Sequence, residues 1–319
     1  MVDPLKIVIA GLHNAGKTSI LTALDKKYDF VDEVHQLKPT IKVEYRRTSF
    51  LGRETVFWDM GGQEKYRRLY LSRPGVYFAG TNLLIYTIDI QDREKFDESL
   101  EYLATILDFF IENEINIPLI VTFHKYDPKL RNYDQINEDI EMLREKIKEM
   151  FTSFNILFQQ TSIYDIISIV QLISYGLSVF DGKFFELSLY METSLDKFSC
   201  SSLILFDKNG IIISEYYADT LKPELYFDFL DKIKEHIYLL KRMDEEEQEQ
   251  NFFTIDKGFL SYLHRIEVQE RVYYVSIVLS DQEKKEFMEN FSPFVEKLKK
   301  ILKSLDASFY TQGQELDTL

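Results

Sequence analysis

The chain has 319 residues, more than one average domain, and 45% are hydrophobic, which excludes a wholly disordered protein. Its 38 Lys and Arg against 53 Asp and Glu leave a formal charge of -15, which works against general binding of nucleic acid or anionic lipid. A lone cysteine, Cys200, excludes a disulfide framework and a multi-cysteine metal site, and fits a reducing, cytoplasmic compartment.

In chain order, residues 5–10 (LKIVIA) read as a short apolar strand, and residues 17–24 have helical spacing. Strand signals follow at 54–58 (ETVFW), 82–90 (NLLIYTIDI), 117–123 (IPLIVTF) and 156–161. Between them, residues 95–112 put Phe96, Leu100, Leu103, Ile106, Leu107 and Phe110 on one helix face. Residues 137–150 read as a charged amphipathic helix, and another helix runs to about residue 180. Continuous apolar strands alternating with helices predict a mostly parallel sheet covered on both faces, an α/β domain.

The second half changes rhythm. A helix over 183–198 precedes strands at 202–206 and 211–217, joined by Asp207-Lys208-Asn209-Gly210 with its Asn-Gly turn signal. A long helix over about 223–243 ends in the acidic run DEEEQEQ (244–250). Strands at 252–255, 259–268 and 272–279 follow, and an amphipathic helix over 282–305 closes the chain. This is an α+β layout with an antiparallel sheet, so residues 1–181 and 182–319 are expected to be two domains. No signal peptide, membrane span or repeat is expected. Val2 stands where N-myristoylation requires glycine, and no prenylatable cysteine lies at the C-terminus, so no direct membrane anchor is expected.

Residues 11–18 (GLHNAGKT) match the phosphate-binding pattern G-x-x-x-x-G-K-[ST] between a strand and a helix. Gly11, Asn14, Ala15 and Gly16 form a loop whose backbone N–H groups face a phosphate, and Ser19 continues it into the helix. Lys17 reaches the β- and γ-phosphates, and the Thr18 hydroxyl ligates Mg²⁺. Asp59, ending the second strand signal in WDMGGQ, is the Walker-B-type acid for the same ion. Gly62 permits close approach to a γ-phosphate, and Gln63 orients an attacking water. Thr40, in KPTI between these motifs, offers a hydroxyl to Mg²⁺ and a backbone N–H to the γ-phosphate.

Residues 124–127 (HKYD) end a strand. The Asp127 carboxylate can accept two N–H bonds from one edge of guanine, which adenine does not offer, so the expected ligands are GTP and GDP. The Lys125 stem packs along the base while its head reaches the P-loop backbone. Ser162 and Ile163, in TSIYD, present a backbone N–H to the guanine carbonyl.

Five such motifs in this order resemble the Ras-like small GTPases. GLHNAGKTSIL, PTIKVE and FWDMGGQEKYRRLY look like the Arf-like branch. HKYD, LLIYTIDIQD and TSIYD instead resemble the Rag family, and LILFDKNGIIISEY is similar to the first hairpin of its C-terminal roadblock/longin-type domain. The resemblance implies a P-loop NTPase fold of the Ras-like type, then a dimerisation domain. It implies a slow GTP-hydrolysing switch with Gln63 and Lys17 as its catalytic residues. It also implies a homodimer or heterodimer with a related chain, and GAP, GEF and effector partners; the acidic charge and the lack of an expected lipid anchor point to no nucleic acid and to recruitment to any membrane by a partner protein. Two other readings remain: a nucleotide-stabilised dimeric scaffold, and an Arf-like membrane-traffic GTPase. The resemblance places His124 where most relatives have Asn, with a ring N–H replacing one bond of that amide to the P-loop.

Several residues are read both ways. His13 either meets the γ-phosphate or points to solvent. Arg67, Arg68 and Arg73 are either solvated or partner and transition-state groups. Residues Phe184, Leu187, Met191 and Leu195 are either core or an intersubunit stripe. Cys200 is expected to be a small core residue, and His35, His236 and His264 structural histidines.

Overall fold

The computed structural model describes residues 4–26, 31–50, 53–178, 184–218, 226–245, 251–256 and 258–315. Two compact units divide the chain. One comprises Pro4–Thr48 and Glu54–Gly176, and the main segment of the other begins at Leu177. The expected boundary between residues 181 and 182 lies outside the described residues, as do the tail of the acidic run at 246–250 and the predicted start of the long helix at 223.

The first unit is built on β1 (Leu5–Ala10), whose apolar residues leave both faces buried, as a central parallel strand requires. After it come α1 (Lys17–Lys26), α2 (Val31–His35), β2 (Val43–Phe50), β3 (Arg53–Met60), α3 (Glu64–Ser72), α4 (Pro74–Tyr77) and β4 (Leu83–Asp89). The unit is completed by α5 (Phe96–Glu112), β5 (Leu119–His124), α6 (Asp134–Met150), β6 (Ile156–Thr161) and α7 (Ile166–Ser178). The six strands lie in the order β2-β3-β1-β4-β5-β6. β1 runs parallel to both β3 and β4, and β5 runs parallel to β4 and β6. Chain order reverses around β1, so the crevice at the strands' carboxyl ends opens beside the loop after β1. All six apolar residues predicted for one face of α5 are buried.

Strand β2 is absent from the sequence reading. Its VEYRRTSF stretch carries Arg46 and Arg47, charged residues suited to an edge strand, and they pair with Asp25 and Glu54. The short α3 and α4 also went unpredicted, because α3 buries Tyr70 alone and shows no apolar stripe.

The second unit contains α8 (Phe184–Lys197), β7 (Cys200–Asp207), β8 (Ile212–Tyr217), α9 (Tyr226–Glu245), β9 (Phe252–Asp256), β10 (Phe259–Val268), β11 (Arg271–Ser280) and α10 (Lys284–Glu315). Its sheet, in the order β8-β7-β11-β10-β9, has every neighbouring pair antiparallel. The β7–β8 turn is the predicted one. Gly210 takes a φ of 70°, and the Asp207 carboxylate accepts the Ile211 N–H at 2.8 Å.

Alternation along β10 separates the two faces. Ser261 meets His236 of α9, while Tyr262 and His264 meet Phe291 of α10. Leu187, Met191 and Leu195 of α8 are buried in this unit, which makes them core rather than an open stripe. The side chain of Phe184 lies outside the described residues. His236 is wholly buried, with a serine hydroxyl on each ring nitrogen, Ser276 at 2.6 Å and Ser261 at 2.7 Å. Cys200 is buried, which pushes its thiol up to about 12.

Candidate functional site

The loop after β1 curls tightly over the sheet. Gly11 has a φ of 144°, and a Cβ there would lie 2.3 Å from the Thr87 carbonyl oxygen of β4, so only glycine fits. Asn14 takes a φ of 61° and Gly16 one of 91°, which turn the chain into α1. Ala15 is buried, and His13 is exposed.

Lys17 folds back over this loop and donates to the carbonyls of Gly11 at 3.0 Å and Leu12 at 2.7 Å. Burial lowers its ammonium to about 8, with Asp59 pulling it up and Arg67 pushing it down. The lysine predicted to meet phosphate is thus caged against the loop backbone.

Thr18, Thr40 and Asp59 come together from three segments. The Thr18 hydroxyl donates to Asp59 Oδ2 at 2.6 Å and lies 2.8 Å from the Thr40 hydroxyl. Asp59 is fully buried. Burial raises its carboxyl, and the hydrogen bond from Thr18 and the charge of Lys17 partly offset this. Its Oδ1 has no hydrogen-bond partner among the described residues. A buried carboxylate oxygen costs free energy without a partner, and two hydroxyls beside it complete a hard oxygen donor set. The residues therefore fit Mg²⁺, which Thr18, Thr40 and Asp59 would hold from three segments. Among the described residues, no three His, Cys, Asp or Glu side chains form an alternative metal cluster.

The strand-end motif after β3 closes on both neighbours. The Gly61 N–H donates to the Lys42 carbonyl at 2.7 Å. A Cβ on Gly62 would lie 2.3 Å from the Leu12 carbonyl group and 2.4 Å from the His13 nitrogen. Gly62 thus sits directly on the phosphate-binding loop. Gln63 is extended at the start of α3. A cavity of about 250 Å³ is lined by His13, Lys17, Thr18, Thr40, Gly62 and Gln63, with Asn14, Gly16 and Ser19 on its wall. His13 is both exposed and part of this lining.

Arg67 is neither free nor solvated. Its Nε donates to the Gly62 carbonyl at 3.1 Å, its guanidinium pairs with Glu98 of α5, and it stacks over Tyr102. Arg68 pairs with Glu64 on the exposed face of α3, and the Arg73 N–H caps that helix on the Tyr70 carbonyl. The Tyr70 hydroxyl donates to the Lys42 carbonyl at 2.6 Å, a second tie between the segments around Gly62 and Thr40.

The second cluster lies at the ends of β5 and β6. His124 is buried, and its Nδ1 lies 2.9 Å from the Thr161 hydroxyl, which in turn lies 2.7 Å from that of Thr122. Burial, aided by the charge of Lys125, lowers the His124 ring to about 3, so it is neutral. Its other edge faces the phosphate loop, since a Cβ on Gly16 would lie 2.6 Å from Nε2.

Lys125 has a φ of 64°, and its ammonium pairs with Asp89 at 2.6 Å rather than reaching the P-loop backbone as expected. The carboxylate of Asp89, at the end of β4, is a charged acceptor that binds an ammonium more strongly than a backbone carbonyl does. Asp127 accepts from the Ser162 hydroxyl at 2.6 Å and from Gln91 at 3.2 Å. The Ser162 N–H is taken by Ser168 at 3.1 Å, which leaves the following N–H, that of Ile163, with no backbone acceptor among the described residues.

Sequence reasoning missed Asp89, Gln91 and Glu98, and it read Arg67 without the ties to Gly62 and Glu98 that the structure shows. The sequence LLIYTIDIQD contains the first two at a strand end, the one local signal for them.

Residues 3–170 match the model of the ADP-ribosylation factor family. ADP-ribosylation factor-like protein 3 of Saccharomyces cerevisiae is 31% identical over 150 residues, which span 46% of this chain and 71% of that protein. A solved structure of the Arl6 BBS3 small GTPase from Trypanosoma brucei, with a bound nucleotide analogue GppNp, is 16% identical at a TM-score of 0.45. It covers 56% of this chain and 97% of that one.

Proposed function

The chain belongs to the ADP-ribosylation factor family of GTP-hydrolysing small GTPases, and from that premise we propose a slow, Mg²⁺-dependent switch joined to a pairing domain. It binds GTP and GDP with Mg²⁺ and hydrolyses GTP, as its family does. The observation that carries the switch reading is the convergence of Thr18, Thr40 and Asp59, with Gly62 pressed on the P-loop beside them.

In this reading the loop N–H groups and Lys17 hold the phosphates, and Mg²⁺ supplies charge neutralisation there. Gln63 orients the attacking water at the cavity wall. Thr40 and Gly62 sense the γ-phosphate, and its loss releases both segments. His124 buttresses the loop at Gly16, while Asp127, with Ser162 and Ile163, selects guanine. Without a donated arginine, turnover on the order of 10⁻⁴ to 10⁻² s⁻¹ is expected. Single-turnover hydrolysis with the full chain tests this. Phosphate release in that range supports it, and none over hours favours a nucleotide-stabilised scaffold. The nucleotide that co-purifies is a second check: ATP overturns the role of Asp127.

The finer reading is Rag-like, with residues 182–319 a roadblock/longin-type domain that forms a homodimer or a heterodimer. The five-stranded antiparallel sheet with α9 on one face and α8 and α10 on the other supports it. So does β9 at the end of the strand order, where Phe253 and Ile255 are 40% and 48% exposed. An apolar edge strand offers unpaired backbone groups to a second sheet. Light scattering at tens of micromolar, alone and with related chains, reads the stoichiometry. A monomer under both conditions overturns pairing. Among the described residues no helix is long and apolar enough to cross a membrane. Co-sedimentation with vesicles in each nucleotide state tests an Arf-like role there.

A further inference from the structure

Asp127 is held on both oxygens. Oδ1 accepts from the Ser162 hydroxyl at 2.6 Å, and that hydroxyl is itself oriented by the Tyr164 N–H, which reaches its oxygen at 3.1 Å. Oδ2 accepts from Gln91 Nε2 at 3.2 Å. The same amide nitrogen donates to the Lys125 carbonyl at 2.8 Å, so both of its hydrogens are committed. Rotating the amide by half a turn would set its oxygen against a carbonyl and a carboxylate, so the orientation is fixed by its acceptors.

Gln91 is in turn fixed from below. Its backbone N–H donates to Asp89 Oδ1 at 3.0 Å, and Asp89 Oδ2 holds the Lys125 ammonium at 2.6 Å. The result is a closed circuit through Asp89, Gln91 and Lys125, with Asp127 joined to it by the Gln91 amide. Lys125 sits at a φ of 64°, a conformation that side chains other than glycine rarely adopt, and the circuit ties down both its carbonyl and its ammonium.

An ionised carboxylate has about four acceptor positions, two per oxygen. Ser162 and Gln91 take one each, on different oxygens. One position remains on each oxygen, which matches the paired N–H groups along one edge of guanine.

We propose that Gln91 is a positioning residue for base selection, setting the Asp127 carboxylate so that both oxygens face the two guanine N–H donors. The inference rests on the guanine-binding reading of Asp127. Gln91 is exposed and makes no contact with Lys17, Thr18, Thr40 or Asp59, so the phosphate and metal cluster does not depend on it.

The test measures GTP, ITP and ATP affinities by competition against a fluorescent GDP derivative with Mg²⁺, using the full chain. ITP lacks the exocyclic amine and so uses a single N–H donor on that edge. Gln91→Met keeps the length of the side chain and removes both donors. Its preference for GTP over ITP is expected to narrow by about five- to tenfold. Gln91→Glu sets a second carboxylate against Asp127. It should lose more GTP affinity than Gln91→Met, since a like charge then faces the Asp127 carboxylate in place of a donor.

An unchanged GTP-to-ITP ratio in both variants overturns the proposal. So does an equal loss for the two nucleotides, the mark of a merely structural role. Wild-type protein that binds ATP as tightly as GTP defeats the reading of Asp127 itself, and the role of Gln91 falls with it.

Discussion

Replacing Gly62 with alanine isolates the step that couples nucleotide to conformation. The new Cβ would lie 2.3 Å from the carbon and oxygen of the Leu12 carbonyl and 2.4 Å from the His13 nitrogen. Ordinary contacts fall near 3.5–4.0 Å, so the overlap is about 1 Å or more. All three atoms are backbone in a loop whose own glycines leave no slack, so the strand-end segment must back away. Overpacking of this kind costs about 1–3 kcal/mol. The cost falls on the arrangement in which Gly62 touches the loop, which the proposed switch adopts with GTP. A coupling loss of that size lowers the preference for GTP over GDP by about 5- to 150-fold. Titration with fluorescent GTP and GDP analogues measures the ratio, and Trp58, the sole tryptophan and the neighbour of Asp59, gives an intrinsic signal. Gly75→Ala is the control, because a Cβ there meets nothing within 4 Å. An alanine variant at position 62 that keeps the wild-type ratio and the wild-type Trp58 response refutes the reasoning.

Gln63→Leu removes the water-orienting amide, and phosphate release should fall more than about tenfold while GTP binding is retained. Arg67→Ala takes away the donor to the Gly62 carbonyl and leaves Glu98 without its partner. Because Glu98 is half exposed, its lost ion pair counts for little, and the loss in urea unfolding should be about 0.5–1.5 kcal/mol, mainly from the bond to the Gly62 carbonyl and the packing on Tyr102. His124 and His236 are each lowered to about 3 in the fold against about 6.5 unfolded, so the unfolded chain binds more protons between those values and stability rises with pH there. The contribution is present above about pH 6.5 and is lost as pH falls toward about 3. Lowering pH from 7 to 5 should cost about 2 kcal/mol per histidine, and His236→Asn should flatten its share in acid-dependent melting.

What the sequence disclosed depended on how locally each feature is encoded. The loop at 11–18 and the DMGGQ run are contiguous, and their glycines, flanking strands and following helices all lie within a few residues. Thr40 has no signature of its own, and its place between two motifs was enough to bring it to Thr18 and Asp59. Periodicity found α5 because its buried face repeats cleanly. It missed β2, where Arg46 and Arg47 interrupt any apolar alternation. Ties across the chain were not legible at all. Arg67 and Glu98 are 31 residues apart, and Gln91 and Asp127 are 36 apart, with nothing in either local pattern to pair them. Lys125 shows the limit from the other side. Its chemistry was clear, but its acceptor was not, and Asp89 rather than the loop took it.

The hydroxyl pair around His236 bears on strand alignment. Ser261 on β10 and Ser276 on β11 are not directly opposed: Ser261 faces Val278, and Ser276 faces Leu263. A slip of one residue between these strands would turn apolar side chains outward and is penalised by burial alone. A slip of two keeps every side chain on its own face, so hydrophobic patterning scarcely resists it. It would, however, carry one serine away from the ring and leave a buried nitrogen unsatisfied, at about 1–3 kcal/mol. One imidazole from a neighbouring helix thus acts as a gauge of the offset between two strands. It guards the sheet against the single class of misalignment that its own oily pattern cannot detect.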